Sequence, residues 1–245
     1  MTTTGRWAVF LLGAAGVLAA LLVAVWHLPA FGADAHPYRD AAVAAAQQQN
    51  SPNVVSSINF DQRGFDTLGE EAILVAAVLG AATLLRESVP ARAKAPVRKA
   101  GLLAATAMAG YLLLPITLVI GADVVVHGHL TPGGGFQGGV VLATGVHLLY
   151  IAGDYEALRR VRPLTWYEFG EAGGLGAVVV LGVAGLVSGA GFLANIVPLG
   201  SAGQLLSAGT VPVYSCAVGI AVGSGVVVLL AQFLDRHESA EKGCP

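Results

Sequence analysis

From Ala172 to Leu234 the chain carries no Asp, Glu, Lys or Arg, a run of 63 residues. A soluble fold cannot shield so long a segment, because about a quarter of its residues are ordinarily charged. As one helix the run would be about 95 Å long, three times the roughly 30 Å hydrocarbon core of a bilayer. Two helices fit, near 172–191 and 212–234. The segment between them, "FLANIVPLGSAGQLLSAGTVP", has the Asn, Pro, Gly and Ser of a loop.

The rest of the chain has the same character. Charged residues are only 11% of 245, hydrophobic residues 55%, and mean hydropathy is +0.71. That composition predicts an all-α integral membrane protein with about six transmembrane helices. Trp7–Leu28 is free of charge and follows a single basic residue, Arg6. It exceeds the apolar core of a signal peptide, about 7–15 residues, and is expected to be a retained span rather than a leader cut at "AFGADA". Between Glu71 and Arg86 lie only 14 charge-free residues, about 21 Å of helix. A full span there must begin near Thr67 and draw Glu70 and Glu71 below the membrane surface, or the bilayer must thin. A third span runs from Ala100 to Ala122 with Pro115 inside it, and a fourth from about Gly133 to Gly153 with His147.

Lys and Arg set the orientation. With the N-terminus in the cytoplasm, that side holds Arg6, Arg86, Arg92, Lys94, Arg98, Lys99, Arg159, Arg160, Arg162, Arg236 and Lys242. The other side holds only Arg39 and Arg63, so both termini are expected to be cytoplasmic. The basic, proline-bearing segment Arg86–Lys99 then divides the chain. Residues 1–86 form a two-helix region with an external loop, 87–99 a cytoplasmic linker, 100–236 a four-helix domain and 237–245 a polar tail. The alanine- and glutamine-rich stretch Asp40–Gln49 predicts a short, solvated surface helix. Glycine pairs four apart, Gly135/Gly139, Gly185/Gly189 and Gly219/Gly223, predict close helix packing.

An ionisable group in hydrocarbon costs about 2.5–3.5 kcal/mol or more and needs a partner, water or a function. In "FDTLGEE", Glu70 is balanced between an ion-path carboxylate and the third helical position of a helix capped by Thr67. Glu71 is better explained as an interfacial carboxylate on the helix dipole. In "GADVVVHGHLTPGGGFQGG", Asp123 and His127 are one helical turn apart and could share a proton if the third helix continues past Gly121. Pro132, Gly133, Gly134 and Gly135 break the helix and start the next, with Phe136, Gly138 and Gly139 in its first turns. The other reading is a tight reentrant turn with Asp123 and the histidines at the interface. His127 and His129 without a third ligand predict no metal site. His147 fits an interhelical donor, or a proton relay. Glu168 and Glu171 open the fifth helix beside "LRRVR", where salt bridging and the dipole suffice. The two cysteines make no disulfide framework. No nucleophile elbow, phosphate loop or cofactor fingerprint is present, so neither an enzyme, a bound cofactor nor a nucleic-acid partner is expected.

Two motifs point to a family. "HLTPGGGFQGGVVLA" (His129–Ala143) and "GFLANIVPLGSAGQLLSAGTVPVYSCAVGIAVGSGVVVLLAQFL" (Gly191–Leu234) resemble MnhB, the B-type component of the multisubunit Mrp-type Na+/H+ antiporters, over about residues 100–236. Pro52–Arg86 resembles the end of the large A-type component; in related membrane-bound hydrogenases the same piece stands alone as the MbhE-like region. Asp66, Thr67 and Glu70 fall on its "DTLGE" pattern. Here that piece is fused to a B-type domain instead of an A-type one. The resemblance implies a bacterial plasma-membrane component of an antiporter complex. Its partners would be A-, C-, D-type and small subunits, with membrane lipid around them and Na+ and H+ as the transported ions. It implies packing and lining of an ion path, with Glu70, Asp123, His127, Asp66, Thr67 and His147 as the candidate residues and Glu70 and Asp123 foremost, and proton translocation mainly in the A- and D-type subunits. Two alternatives stay open: the membrane module of a hydrogenase- or complex I-like redox pump, and a purely structural scaffold.

Overall fold

The computed structural model describes residues 3–28, 32, 36–85, 104–152, 158, 160 and 163–242. The linker 87–99 and the last three residues of the tail lie outside them. The described residues are helical, with loops between. The chain forms two compact units, residues 1–40 and 41–245.

The first unit holds α1 (Thr3–Trp26), 24 residues with no charge after Arg6 and no buried residue. At 1.5 Å per residue it is about 36 Å long, enough to cross a bilayer.

The second unit takes in most of α2 (Pro37–Gln48), then α3 (Val54–Ser57), which widens into a π turn over Ile58–Gln62. There follow α4 (Gly64–Leu85), α5 (Ala104–Val126), α6 (Gly135–Ile151), α7 (Leu164–Val187) and α8 (Val211–Lys242). With α1, helices α4, α5, α7 and α8 make five that are long and apolar enough to span a membrane. The remaining expected span is α6, whose 17 residues cover about 26 Å.

Helix α8 is the centre of this unit. It packs against α6, α7 and α4, while α5 packs on α6 and α4 also reaches α7. Two-thirds of the α8 span (67%) is buried, against 11% for α4 and 17% for α5, so the outer helices present most of their apolar surface outward. One core gathers Phe60, Val178, Leu193, Val211, Tyr214, Val218 and Val222. A second joins Ala143, Val146, Leu149 and Val227. Rings of Phe60 and Tyr214 stack with centroids 6.4 Å apart, which ties the π turn to the start of α8.

Glycines let α6 and α8 touch backbone to backbone. A methyl on Gly135 would overlap the Ser215 carbonyl, and one on Gly139 would lie 2.8 Å from the Gly219 carbonyl oxygen and 2.9 Å from the Gly223 nitrogen. Two of the three expected pairs, 135/139 and 219/223, therefore pack on each other. The third is different. Gly189 follows the Ser188 cap of α7 with φ +80°, the Ala190 N–H donating to Gly185 O and the Gly189 N–H to Leu186 O, so it closes the helix C-terminus and is not a packing glycine.

Two boundary expectations are corrected. Helix α4 starts at Gly64, not at Thr67, because the π turn feeds the chain into it three residues early. Thr67 is therefore inside the helix, and its hydroxyl donates to Asn59 O at 2.7 Å instead of capping. Helix α2 is not simply solvated, since Ala42 and Ala46 are buried at 3% and 0% exposure. It ends at Asn50, φ +55°, whose own N–H and that of Ser51 close onto Gln47 O and Ala46 O.

Candidate functional site

The polar groups fall into an assembly at one end of the helices and an interior pair. The end assembly is built on the turn between α5 and α6. Gly133 and Gly134 have φ of +154° and +149°, a region essentially closed to side chains. They let the chain leave α5, run through Thr131 and exposed Pro132, and re-enter as α6. Gly135, Gly138 and Gly139 are buried where α6 meets its neighbours, a methyl on Gly138 colliding with Val125 of α5, while Phe136 points outward at 38% exposure.

Asn53 clasps this turn. Its side-chain carbonyl accepts from the N–H groups of Val55 and Ser56 at the start of α3. Its amide donates to Gly128 O at 2.7 Å and Thr131 O at 2.8 Å, and its backbone N–H donates to His129 O at 3.0 Å. Ser215 of α8 donates to Val125 O at 2.7 Å from the other side. Residues before α3 are tied to the 191–210 loop as well, since Asn50 donates to Gly200 O at 2.9 Å. Within that loop Asn195 donates to Ala208 O and accepts from both the backbone and hydroxyl of Thr210. Sequence reading identified the loop but not Asn53 or Asn195 as its organisers. The available signal was an Asn immediately before "VVSS", an N-cap pattern.

Helix α5 does continue past Gly121, which places Asp123 and His127 in line. His127 Nδ1 lies 2.8 Å from Asp123 Oδ1, with side chains 39% and 63% exposed. His129 goes the other way. It is fully buried, with Nε2 3.4 Å from the Gln204 carbonyl. Burial lowers its pKa below the ordinary 6.5; the nearby His127 lowers it further, while the Gln204 and Leu205 carbonyls oppose the shift. Asp61 in the π turn has its pKa raised by burial.

Asp66 pairs with Arg63 on the exposed surface. Glu70 is also exposed. His147 Nδ1 donates to Ala143 O at 2.6 Å, one turn back in its own helix. The structure thus joins Asp123 to His127 but leaves Glu70 on another helix and His147 on a third.

The interior pair is a correction. Glu71, expected at the interface, is fully buried, and neither carboxyl oxygen has a hydrogen-bond partner among the described residues. Glu171, expected in a surface salt bridge, is 5% exposed with Oε1 likewise unpartnered. Both lie well inside helices that start seven residues earlier, at Gly64 and Leu164, about 10 Å along the axis. That depth and the packing of α4 and α7 on α8 take them away from water.

Residues 105–228 match the family model described as a domain related to the MnhB subunit of Na+/H+ antiporter. An uncharacterised protein of Methanocaldococcus jannaschii is 31% identical over 200 residues, 71% of this chain and 74% of that protein. A probable A/B-type component of a K(+)/H(+) antiporter in Rhizobium meliloti is 33% identical over 150 residues, 51% of this chain but 15% of that protein. In the membrane-bound sulfane sulfur reductase, an archaeal respiratory membrane complex, one chain superposes with TM-score 0.69 at 28% identity, covering 91% of this chain and 98% of that one. In the Mrp complex from Dietzia sp. DQ12-45-1b, the match has TM-score 0.67 at 26% identity and covers 95% of this chain and 26% of that one.

Proposed function

The chain belongs to the family of membrane proteins related to the MnhB subunit of Na+/H+ antiporters, and from that membership we propose that it is an integral component of a multisubunit Mrp-type antiporter of the bacterial plasma membrane. In this reading it helps assemble the complex and lines part of its ion path, in proton-driven export of Na+. It is part of a transporter and not an enzyme. Its N-terminal region and its B-type domain are two subunit pieces fused, with both termini in the cytoplasm and A-, C-, D-type and small subunits around it.

The observation that carries the reading is the direction in which the outer polar groups face. Glu70, Asp66, Asp123 and His127 point away from this chain's core, on helices that otherwise show apolar side chains. A charge facing lipid deep in the hydrocarbon costs about 2.5–3.5 kcal/mol or more. Neighbouring subunits or a water-filled path would remove that cost. Glu70 and the Asp123–His127 pair are the residues assigned to the path, with Thr67 and His147 supporting their helices. The test is cation-driven proton flux in everted vesicles, with Na+ and K+ compared, after Glu70→Gln in a complex that still assembles. Loss of flux is expected; full flux removes Glu70 from the path. Full flux after neutralising Glu70, Asp123 and His127 together would leave a scaffold role only.

A second reading is the membrane module of a redox-driven ion pump. It is favoured by the near-complete coverage, 98%, of a chain in the sulfane sulfur reductase complex, against 26% of the matched Mrp chain. Purification of the native complex separates the two. Antiporter subunits alone support the first reading, and co-purifying iron–sulfur or flavin subunits support the second.

A further inference from the structure

We propose that Glu71 and Glu171 form a proton-binding site inside the bundle, where α4, α7 and α8 meet. Glu71 is completely buried and Glu171 nearly so, and three of their four carboxyl oxygens have no hydrogen-bond partner among the described residues. Helices α4 and α7 both pack on α8 and touch each other, so both carboxyls lie inside the same three-helix junction. The space is built. A methyl on Gly225 of α8 would lie 2.9 Å from Glu171 Oε1 and 3.5 Å from Val78 Cγ2 of α4. Gly225 therefore leaves the gap in α8 that the Glu171 carboxyl fills. Thr67, Glu71 and Val78 are the buried residues of α4, so that helix turns the face bearing Glu71 inward.

The surroundings decide what the site holds. Neither α4 nor α7 carries a Lys, Arg or His, and α8 has none before Arg236. The other charged groups on α4 and α7, Glu70 with Asp66 and Glu168, are exposed acids that could only add like charge. The remaining ionisable groups of α7 and of α8 before Asp235 are Tyr167, one turn from Glu171, and the more distant Tyr214 and Cys216, none of them a cation. Two carboxylates buried together without a counter-charge are strongly disfavoured. A positive ion must accompany them. A bare alkali cation needs several oxygen ligands, and here helix carbonyls are committed to their own ladders, leaving the carboxyls and the one hydroxyl of Ser224, which faces Gly170 beside Glu171. A proton needs only the carboxyl it binds. Each uptake converts one carboxylate to a neutral acid and removes one buried negative charge. The occupation of this site by protons stands apart from the antiporter reading; only its connection to transport rests on that reading.

The test uses the intact native complex in lipid. A hydrophobic carbodiimide reacts with protonated carboxyls in apolar sites, and the adducts are mapped by mass spectrometry across a pH series with and without Na+ or K+. In parallel, infrared difference spectra record the deuterium-sensitive carbonyl stretch of a neutral buried acid. Adducts on Glu71 or Glu171 at neutral pH, fading as pH rises, are expected, with the infrared band lost in E71Q and E171Q. The wild-type spectra stand even if those variants fail to assemble. No adduct and no neutral-acid band across the pH range would overturn the site. Protection by Na+ or K+ at constant pH would also overturn it, by making it a cation site. Proton flux measured on the same preparations reads the antiporter reading separately: a proton-loaded site with flux unchanged in E71Q keeps the binding and removes it from the path.

Discussion

Replacing Asn53 tests whether the segment before α4 is locked to the glycine-rich turn. Its side chain makes two acceptor bonds, at 3.1 and 3.2 Å to Val55 and Ser56, and two donor bonds, at 2.7 and 2.8 Å to Gly128 and Thr131. Losing an N-cap costs about 1 kcal/mol, and losing two further bonds about 0.5–1.5 kcal/mol each. Asn53→Ala should therefore destabilise the fold by about 3 kcal/mol, or roughly 6–12 °C in Tm for a chain of this size. Asn53→Ser separates the terms, because serine keeps the cap but cannot reach both carbonyls. It should cost about 2 kcal/mol, nearly all of it from the clasp. Thermal unfolding of the purified protein in detergent, followed by tryptophan fluorescence, reads both. A Ser variant as stable as the wild type would mean the clasp contributes nothing. An Ala variant within about 0.5 kcal/mol of wild type, the range of ordinary surface substitutions, would refute the reasoning as a whole.

The other predictions concern packing and pH. Gly139→Ala, placed against the Gly219 carbonyl at 2.8 Å, should destabilise by about 1–3 kcal/mol through overpacking. Gly176→Ala, with nothing within 4 Å, should be neutral or gain up to about 1 kcal/mol from helix propensity; the same unfolding assay checks both. Burial holds the pKa of His129 below its ordinary 6.5, so the unfolded chain takes up a proton first as pH falls. Stability should be full above about pH 6.5 and decline below it. His129→Gln should flatten that decline. Asp61, raised from 3.8 by burial, acts in the opposite sense, its contribution being lost as pH rises, so the wild type and the Gln variant are compared at each pH.

The helices were legible because lipid imposes a coarse requirement. Charge-free runs of sufficient length have one stable solution, and α1, α5 and α8 lie within a few residues of where hydropathy places them. Features set by a neighbour were not legible. Nothing in "DAAVAAAQQ" distinguishes alanines under a loop from alanines in water, yet Ala42 and Ala46 are buried. The early start of α4 depends on the π turn at Ile58–Gln62, and its driver is tertiary, Phe60 stacking on Tyr214 more than 150 residues away. A glycine pair also looks the same whether it packs, as at Gly135/Gly139, or closes a helix C-terminus, as at Gly189.

The candidate site shows the same division with sharper consequences. The Asp123–His127 contact was legible, because a four-residue spacing on a helix places both on one face whatever lies around it. Glu70 and Glu71 were not separable in that way. They are adjacent, share the same sequence surroundings, and differ by the roughly 100° that one residue turns a helix. Only the position of α8 decides which carboxyl is buried. Glu70 and Ala72 are exposed on either side, while Glu71 between them enters the α4–α7–α8 junction. Glu171 is brought to that junction from a helix 100 residues later, and the gap it occupies comes from Gly225 of a third. An interior acid pair assembled from three distant segments has no local pattern to read. What the sequence does contain is the condition that makes the pair consequential: three packed helices, each without a cationic side chain in its membrane span.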